Sequence, residues 1–148
     1  MGAHPWFYVV PYQSDIRNAM LELREREFRA GRYNPVVPFP DTDRRSPGAR
    51  HATIDDAREA ADADGTRSIV DMDDVSDVPA DPDDPQFGVV SRIDSELLLD
   101  LYGTTRPTRE MIGDMEFLEE IERGTGVYVV IYKDDKPSEI CFAGYSYD

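Results

Sequence analysis

The spacing of apolar residues predicts a strand followed by a long helix at the start of the chain. Residues 6–12 form a short aromatic and β-branched run, which is typical of a strand. After Asp15 the apolar residues recur at intervals of three or four, as they do on one face of an amphipathic helix. Asp15 is a favourable N-cap residue and Gly31 a favourable C-terminal residue. We therefore expect a helix between Asp15 and Gly31.

The middle of the chain carries shorter versions of the same two patterns. Thr53 and Asp56 form an acidic variant of the capping box, and Gly65, Gly103 and Gly124 each follow a helical run. The predicted elements are a helix over 53–64, strands over 67–73 and 87–93, a helix over 94–102 and a longer helix over 105–123.

The last part of the chain predicts a β-hairpin. Two apolar, β-branched runs flank the polar stretch 133–137, which has the composition of a hairpin turn. Helices that are segregated from a terminal hairpin indicate an α+β fold. We predict a single α+β domain over 1–148, with a largely antiparallel sheet, helices on one face and the C-terminal hairpin. A proline-rich loop over 32–50 and an acidic loop over 71–85 interrupt it.

The charge of the chain limits the classes of partner. The formal net charge is -15, which disfavours nucleic acid and anionic membrane surfaces and leaves a basic protein as a partner. The chain holds 20 Asp against 11 Glu, and 14 Arg against 2 Lys. An excess of short carboxylates suits a protein that works at multimolar salt, although a GC-rich genome also exchanges Lys for Arg. Halophilic adaptation and a cationic partner both remain explanations of the acidity.

The acidic run 71–85 contains seven aspartates, which raises the question of a metal site. A calcium loop of the EF-hand type needs Gly at its sixth position and Glu at its twelfth. Starting from Asp71 these positions hold Ser76 and Pro82, and starting from Asp73 they hold Val78 and Asp84, so both registers fail. We interpret the run as a solvated loop and predict no metal and no cofactor.

Residues with catalytic or zinc-binding chemistry are few and scattered. His4, His51 and Cys141 are the only His and Cys residues, too few and too dispersed for a zinc site. A single cysteine excludes an intrachain disulfide and favours a reducing compartment, so we expect a cytoplasmic protein. The first residues lack the pattern of a signal peptide, and no apolar run is long enough to span a membrane. We predict no catalytic residues.

Two candidate binding sites follow from the remaining residues. Tyrosines concentrate near the two ends of the chain and would share one sheet if the first strand pairs with the hairpin; exposed tyrosines are typical of recognition surfaces. The alternative is an anion-accepting site, because a Gly-Thr-Thr-Arg stretch over 103–106 lies at the N-terminal end of the helix predicted over 105–123. The predicted binding tyrosines are Tyr12, Tyr128, Tyr132, Tyr145 and Tyr147. The predicted anion-binding residues are His51, Arg67, Thr104, Thr105 and Arg106.

Residues 50–75 and 126–148 resemble a family of microbial proteins of unknown function, and this resemblance implies no activity. Two functional hypotheses stand. The first is a small non-enzymatic interaction protein, such as an acidic inhibitor or immunity protein, that binds a protein through the tyrosines or the acidic loop. The second is a small ligand-binding or hydrolytic domain with a site near His51, Arg67 and Arg106. A pocket where these three side chains converge would favour the second hypothesis.

Overall fold

The fold is a five-stranded sheet with helices, seen in a computed structural model that describes residues 4–33, 51–61 and 65–147. The strands are β1 (Pro5–Pro11), β2 (Asp74–Ser76), β3 (Val89–Arg92), β4 (Gly126–Lys133) and β5 (Lys136–Tyr145). The helices are α1 (Ile16–Ala30), α2 (Ile54–Ala61), α3 (Ser95–Tyr102) and α4 (Arg109–Ile112), with short 3₁₀ helices at Ile69–Asp71 and Glu116–Glu120. These elements form a single compact α+β domain, so the predicted fold class is confirmed.

The sheet is mixed: the long pairings among β1, β4 and β5 are antiparallel, as predicted for most of the sheet, and the short pairings of β2 and β3 are parallel. Its strand order is β1-β5-β4-β3-β2. The β1–β5 and β5–β4 pairs are antiparallel, whereas β4–β3 and β3–β2 are parallel. Parallel neighbours need a long crossover, and α3 and α4 supply it between β3 and β4. Local sequence patterns identify strands but do not report this choice of partner.

Helices cover both faces of the sheet, whereas the sequence predicted one covered face. Because alternate residues of a strand point to opposite faces, β4 and β5 each contribute to two cores. On one face α1 packs on a cluster that includes Trp6, Tyr128, Ile140 and Phe142. On the other face α3, α4 and the second 3₁₀ helix cover Val129, Ile131, Cys141 and Ala143.

The predicted ends of α1 and α3 and the hairpin are confirmed, whereas Gly124 lies four residues after the last helical segment. The Asp15 carboxylate accepts the Asn18 N–H at 3.0 Å, and Gly31 ends α1 with φ of 70°. Asp94 caps α3 in the same way, and Gly103 ends it. At the tip of the hairpin Asp134 and Asp135 both have positive φ, as a tight two-residue turn requires. These features depend on a few neighbouring residues, which explains why sequence alone located them.

Two predicted elements are wrong. The expected strand over 67–73 instead contains a 3₁₀ helix, Ile69–Asp71, capped by Ser68, and the strand lies further on, inside the acidic run, as β2. The expected helix over 105–123 is split into α4 and a 3₁₀ helix, because the chain turns at Gly113 and Met115 takes a left-handed conformation with φ of 55°. The Asp114 carboxylate accepts the Glu116 N–H at 3.0 Å and starts the second segment.

Part of the predicted organisation falls outside the described residues. This applies to the proline-rich loop over 32–50, apart from its first two residues. Among the helices within 4–33, 51–61 and 65–147, none has the length and apolar composition needed to cross a bilayer.

Candidate functional site

The C-terminal tyrosines are docked into the domain. Tyr147 is half-buried, and its ring lies 6.4 Å from that of Phe87. The backbones of Gly65 and Gly124 pass so close to this ring that an added Cβ would lie 2.8 Å and 2.6 Å from its carbons. Both glycines also have φ above 70°, a conformation that favours glycine. The backbone conformation and the close approach of the Tyr147 ring therefore both require a residue without a side chain. Tyr145 is also half-buried, and its backbone bonds to Gly124.

The other predicted tyrosines differ in their surroundings. Tyr12 is 38% exposed at the end of β1. Tyr132 is half-buried, with the Arg106 guanidinium 5.6 Å above its ring. Tyr128 is 5% exposed on the core face covered by α1. The five tyrosines therefore do not form one exposed face.

The predicted anion-binding residues lie at different places on the domain. Arg106 bonds to Asp135 at the hairpin turn, 2.9 Å away. Arg67 follows Thr66, whose backbone N–H bonds to Asp71 at 2.8 Å, and Asp71 lies beside Gly65 and Tyr147, beyond the other end of β5. Since a ten-residue strand spans roughly 30 Å, Arg67 and Arg106 cannot contact the same small ligand.

The other three members of that set have local roles. His51 Nδ1 lies 2.7 Å from the Tyr33 hydroxyl, and the two rings are in contact. The Thr104 hydroxyl accepts the backbone N–H of Arg106 at 3.0 Å, and Thr105 is exposed. Because Arg67 and Arg106 lie toward opposite ends of β5, they do not converge with His51 on one pocket.

A different site, which we call the acidic cleft, lies between the start of α1 and the edge strand β2. It is an open depression of about 840 Å³ on the face of the sheet that α1 covers. Its floor and walls come from three segments: the β1–α1 connection, the acidic run and β3 with β4. The lining residues are Ser14, Asp15, Ile16, Arg17, Asp74, Val75, Ser76, Asp77, Gln86, Val89 and Tyr128.

Tyr128 lines this cleft with an unpartnered hydroxyl. The residue is 95% buried by the fold (5% exposed), yet none of the described residues forms a hydrogen bond with its hydroxyl. Burial raises the pKa of Tyr128, Arg92 opposes this shift and Asp77 adds to it. The phenol therefore stays protonated near neutral pH and can both donate and accept. The hydroxyl itself is not fully buried, so water or an external polar group can reach it from the cleft.

Three carboxylates and one guanidinium supply the charge of the acidic cleft. Asp15 caps α1, where its negative charge offsets the positive end of the helix dipole. Arg17 forms an ion pair with Asp74 at 2.8 Å. The Asp77 carboxylate has no hydrogen bond or ion pair within the described residues, while its backbone oxygen accepts from Arg92 at 2.9 Å. The lining therefore has a net negative charge, with Asp77 as its free acceptor.

This arrangement suits binding of a cation and offers little for covalent chemistry. The lining holds no histidine, cysteine or lysine that could act as a base or nucleophile beside Ser14 or Ser76. Within 4–33, 51–61 and 65–147, no three His, Cys, Asp or Glu side chains are grouped to hold a metal ion. Ile16, Val75 and Val89 add an apolar wall, against which the methylene stem of a lysine or arginine can pack.

The acidic run is more ordered than the solvated loop predicted from sequence. Asp71 is 2% exposed, and one of its oxygens accepts the Thr66 N–H at 2.8 Å. Asp73 forms a two-contact ion pair with Arg58. Asp74 lies in β2 and pairs with Arg17. The aspartates from residue 81 onward are exposed, as predicted for the whole run.

Sequence reasoning missed most of the acidic cleft. It singled out Tyr128 and the acidic run as separate interaction surfaces, but it did not connect them, and it gave Arg17 no role. The sequence could identify Tyr128 and the acidic run separately, but it could not show that they meet. Their contact depends on the packing of α1 beside β2. Comparison of the chain with models of known protein families, with curated proteins and with solved structures finds no match.

Proposed function

We propose that the protein is a small non-enzymatic interaction protein that binds a basic protein partner at the acidic cleft. The observation that carries the proposal is the unpartnered, 5% exposed Tyr128 beside the free carboxylate of Asp77 in an open cleft. An inhibitor or immunity protein against a basic toxin would be one such role. The net charge of -15 would speed encounter with a basic protein and would repel nucleic acid.

The anion-accepting alternative has no comparable support. It required His51, Arg67 and Arg106 to converge, and in the fold Arg67 and Arg106 lie toward opposite ends of β5. Arg106 is also neutralised by Asp135, which leaves little free positive charge beside Thr104 and Thr105. We therefore carry only the interaction hypothesis forward.

The test uses a fluorescein-labelled hexa-arginine peptide as a probe and fluorescence anisotropy as the measurement. The salt should be about 0.15 M KCl, where the Debye length is about 8 Å and distant charges contribute little. Asp77→Asn should weaken peptide binding about two- to fivefold, the range for one ion pair near the surface. Tyr128→Phe keeps the net charge and should weaken binding about two- to tenfold through one lost hydrogen bond.

Asp83→Asn is the matched control, because it removes the same charge from the same run outside the cleft. It should leave the affinity close to that of the native protein. Equal weakening by Asp77→Asn and Asp83→Asn, with no effect of Tyr128→Phe, would mean that the peptide senses only the overall charge. The acidic cleft would then not be the binding site.

A further inference from the structure

Arg17 occupies the acidic cleft in the way that an external arginine would. It lies in the first turn of α1 and reaches across to Asp74 on β2, with one guanidinium nitrogen 2.8 Å from a carboxylate oxygen. The Asp74 carboxylate is held in place by the neighbouring Val75 N–H, also at 2.8 Å. The cleft therefore contains a positioned acceptor that already binds a guanidinium.

The Arg17–Asp74 pair is exchangeable. The two side chains are 59% and 49% exposed, so water reaches both partners and the contact contributes little to folding. By contrast, the side chain of Arg58, which pairs with Asp73, is only 28% exposed. A side chain from another protein could replace Arg17 at Asp74 without uncovering any core residue.

We propose that the partner inserts an arginine side chain into the acidic cleft and that Arg17 is an internal competitor which this arginine must displace. The proposal rests on the proposed function and adds the identity of the ligand and the control of the site. A planar guanidinium presents several N–H donors in a fork, and Asp74, Asp77 and Tyr128 line the same cleft as acceptors. A lysine ammonium has the same charge but lacks that fork.

Competition from Arg17 should lower the affinity of the acidic cleft for an external arginine by a measurable amount. While Arg17 holds Asp74, an incoming arginine must compete for that carboxylate. Removing Arg17 should therefore tighten binding, even though the residue takes no part in the core. If Arg17 does not compete at Asp74, its loss acts through the net charge alone and should change the affinity no more than the loss of another exposed arginine does.

The test compares Arg17→Gln with Arg29→Gln, using the hexa-arginine probe at about 0.15 M KCl. Arg29 is a matched control, because it is exposed on the same helix and forms a 2.8 Å ion pair with Glu25. Both variants change the net charge equally. Arg17→Gln should tighten binding about two- to fivefold more than Arg29→Gln. Adding Asp74→Asn to Arg17→Gln should remove this gain.

Three results would overturn the proposal: equal effects of Arg17→Gln and Arg29→Gln, weaker binding by Arg17→Gln, or equal affinity for hexa-lysine and hexa-arginine. These outcomes are distinct from failure of the proposed function. If Asp77→Asn and Tyr128→Phe weaken binding but Arg17→Gln behaves like its control, the cleft binds cations and Arg17 does not compete. If none of these variants matters, the cleft is not the site.

Discussion

A chain that ends at Gly144 should fold poorly, because the last residues close the open end of the sheet. The truncation removes Tyr145, Ser146, Tyr147 and the final residue. Ser146 is 1% exposed and exchanges hydrogen bonds with His4: its N–H donates to the His4 oxygen, and its hydroxyl accepts the His4 N–H, both at 2.9 Å. Tyr145 bonds through its backbone to Gly124 and Thr125.

The loss can be estimated from these contacts. Four hydrogen bonds at about 1 kcal/mol each amount to about 4 kcal/mol. The half-buried Tyr147 ring between Gly65, Gly124 and Phe87 adds about 1–2 kcal/mol. Small domains have a free energy of unfolding of about 5–15 kcal/mol, so the truncation removes a third or more of it. At this chain length the melting temperature should fall by about 10–20 °C.

The measurement is a thermal melt followed by far-ultraviolet circular dichroism, with near-ultraviolet signals reporting tertiary packing. A chain that ends at Ser146 is the control, because it loses the Tyr147 ring and keeps the four hydrogen bonds. It should melt only a few degrees below the full chain. If the chain ending at Gly144 melts cooperatively at the temperature of the full chain, the terminal tyrosines are not structural. The prediction that Tyr145 and Tyr147 are binding residues would then be favoured over a structural role for them.

Two further predictions concern charge. The melting temperature should rise between about 0.1 and 2 M KCl, because salt screens repulsion within a chain of net charge -15; a flat or falling curve would remove the halophilic interpretation. Burial raises the pKa of the Asp71 carboxyl, although hydrogen bonds from Thr66 and the charge of Arg58 oppose this shift. The folded state therefore binds the carboxyl proton more tightly than the unfolded chain does. Stability is then lost as the pH rises through the folded pKa, and Asp71→Asn should gain stability relative to the native protein from about pH 4 to 7 in denaturant melts. A pH-independent difference would show that Asp71 titrates normally.

The parts of the fold that sequence predicted well are set by local chemistry. Asp15 and Gly31 define α1 because capping needs only the residues within one turn. The hairpin followed from a short polar stretch between two β-rich runs. The failures share the opposite property. The parallel pairing of β3 with β4 depends on the path of the chain through α3 and α4, and the end of α4 depends on the turn at Gly113 and Asp114.

The candidate site shows the same limit more strongly. Tyr128 and the acidic run were both recognised as interaction features, yet periodicity assigned Tyr128 only to a strand and composition assigned the run only to a loop. Their contact follows from the position of β2 at the sheet edge, next to the first turn of α1. Arg17 carried no signal at all, because an arginine in the first turn of a helix is an ordinary surface residue until its partner is known.

The two explanations of the acidity, adaptation to salt and a cationic partner, make different predictions for one salt titration. Along the acidic run, Asp71 is buried, Asp73 and Asp74 are paired with arginines, and Asp77 is left free beside Tyr128. Adaptation to salt predicts that KCl stabilises the domain by screening repulsion. A cation-binding cleft predicts that the same salt weakens the arginine peptide, because screening acts on attraction as well. The two explanations are therefore compatible. In one salt titration, adaptation to salt predicts that stability rises with KCl, and a cation-binding cleft predicts that affinity for the peptide falls. If the affinity for hexa-arginine does not change over that titration, charge does not drive binding, and the carboxylates of the cleft interact only with water and salt.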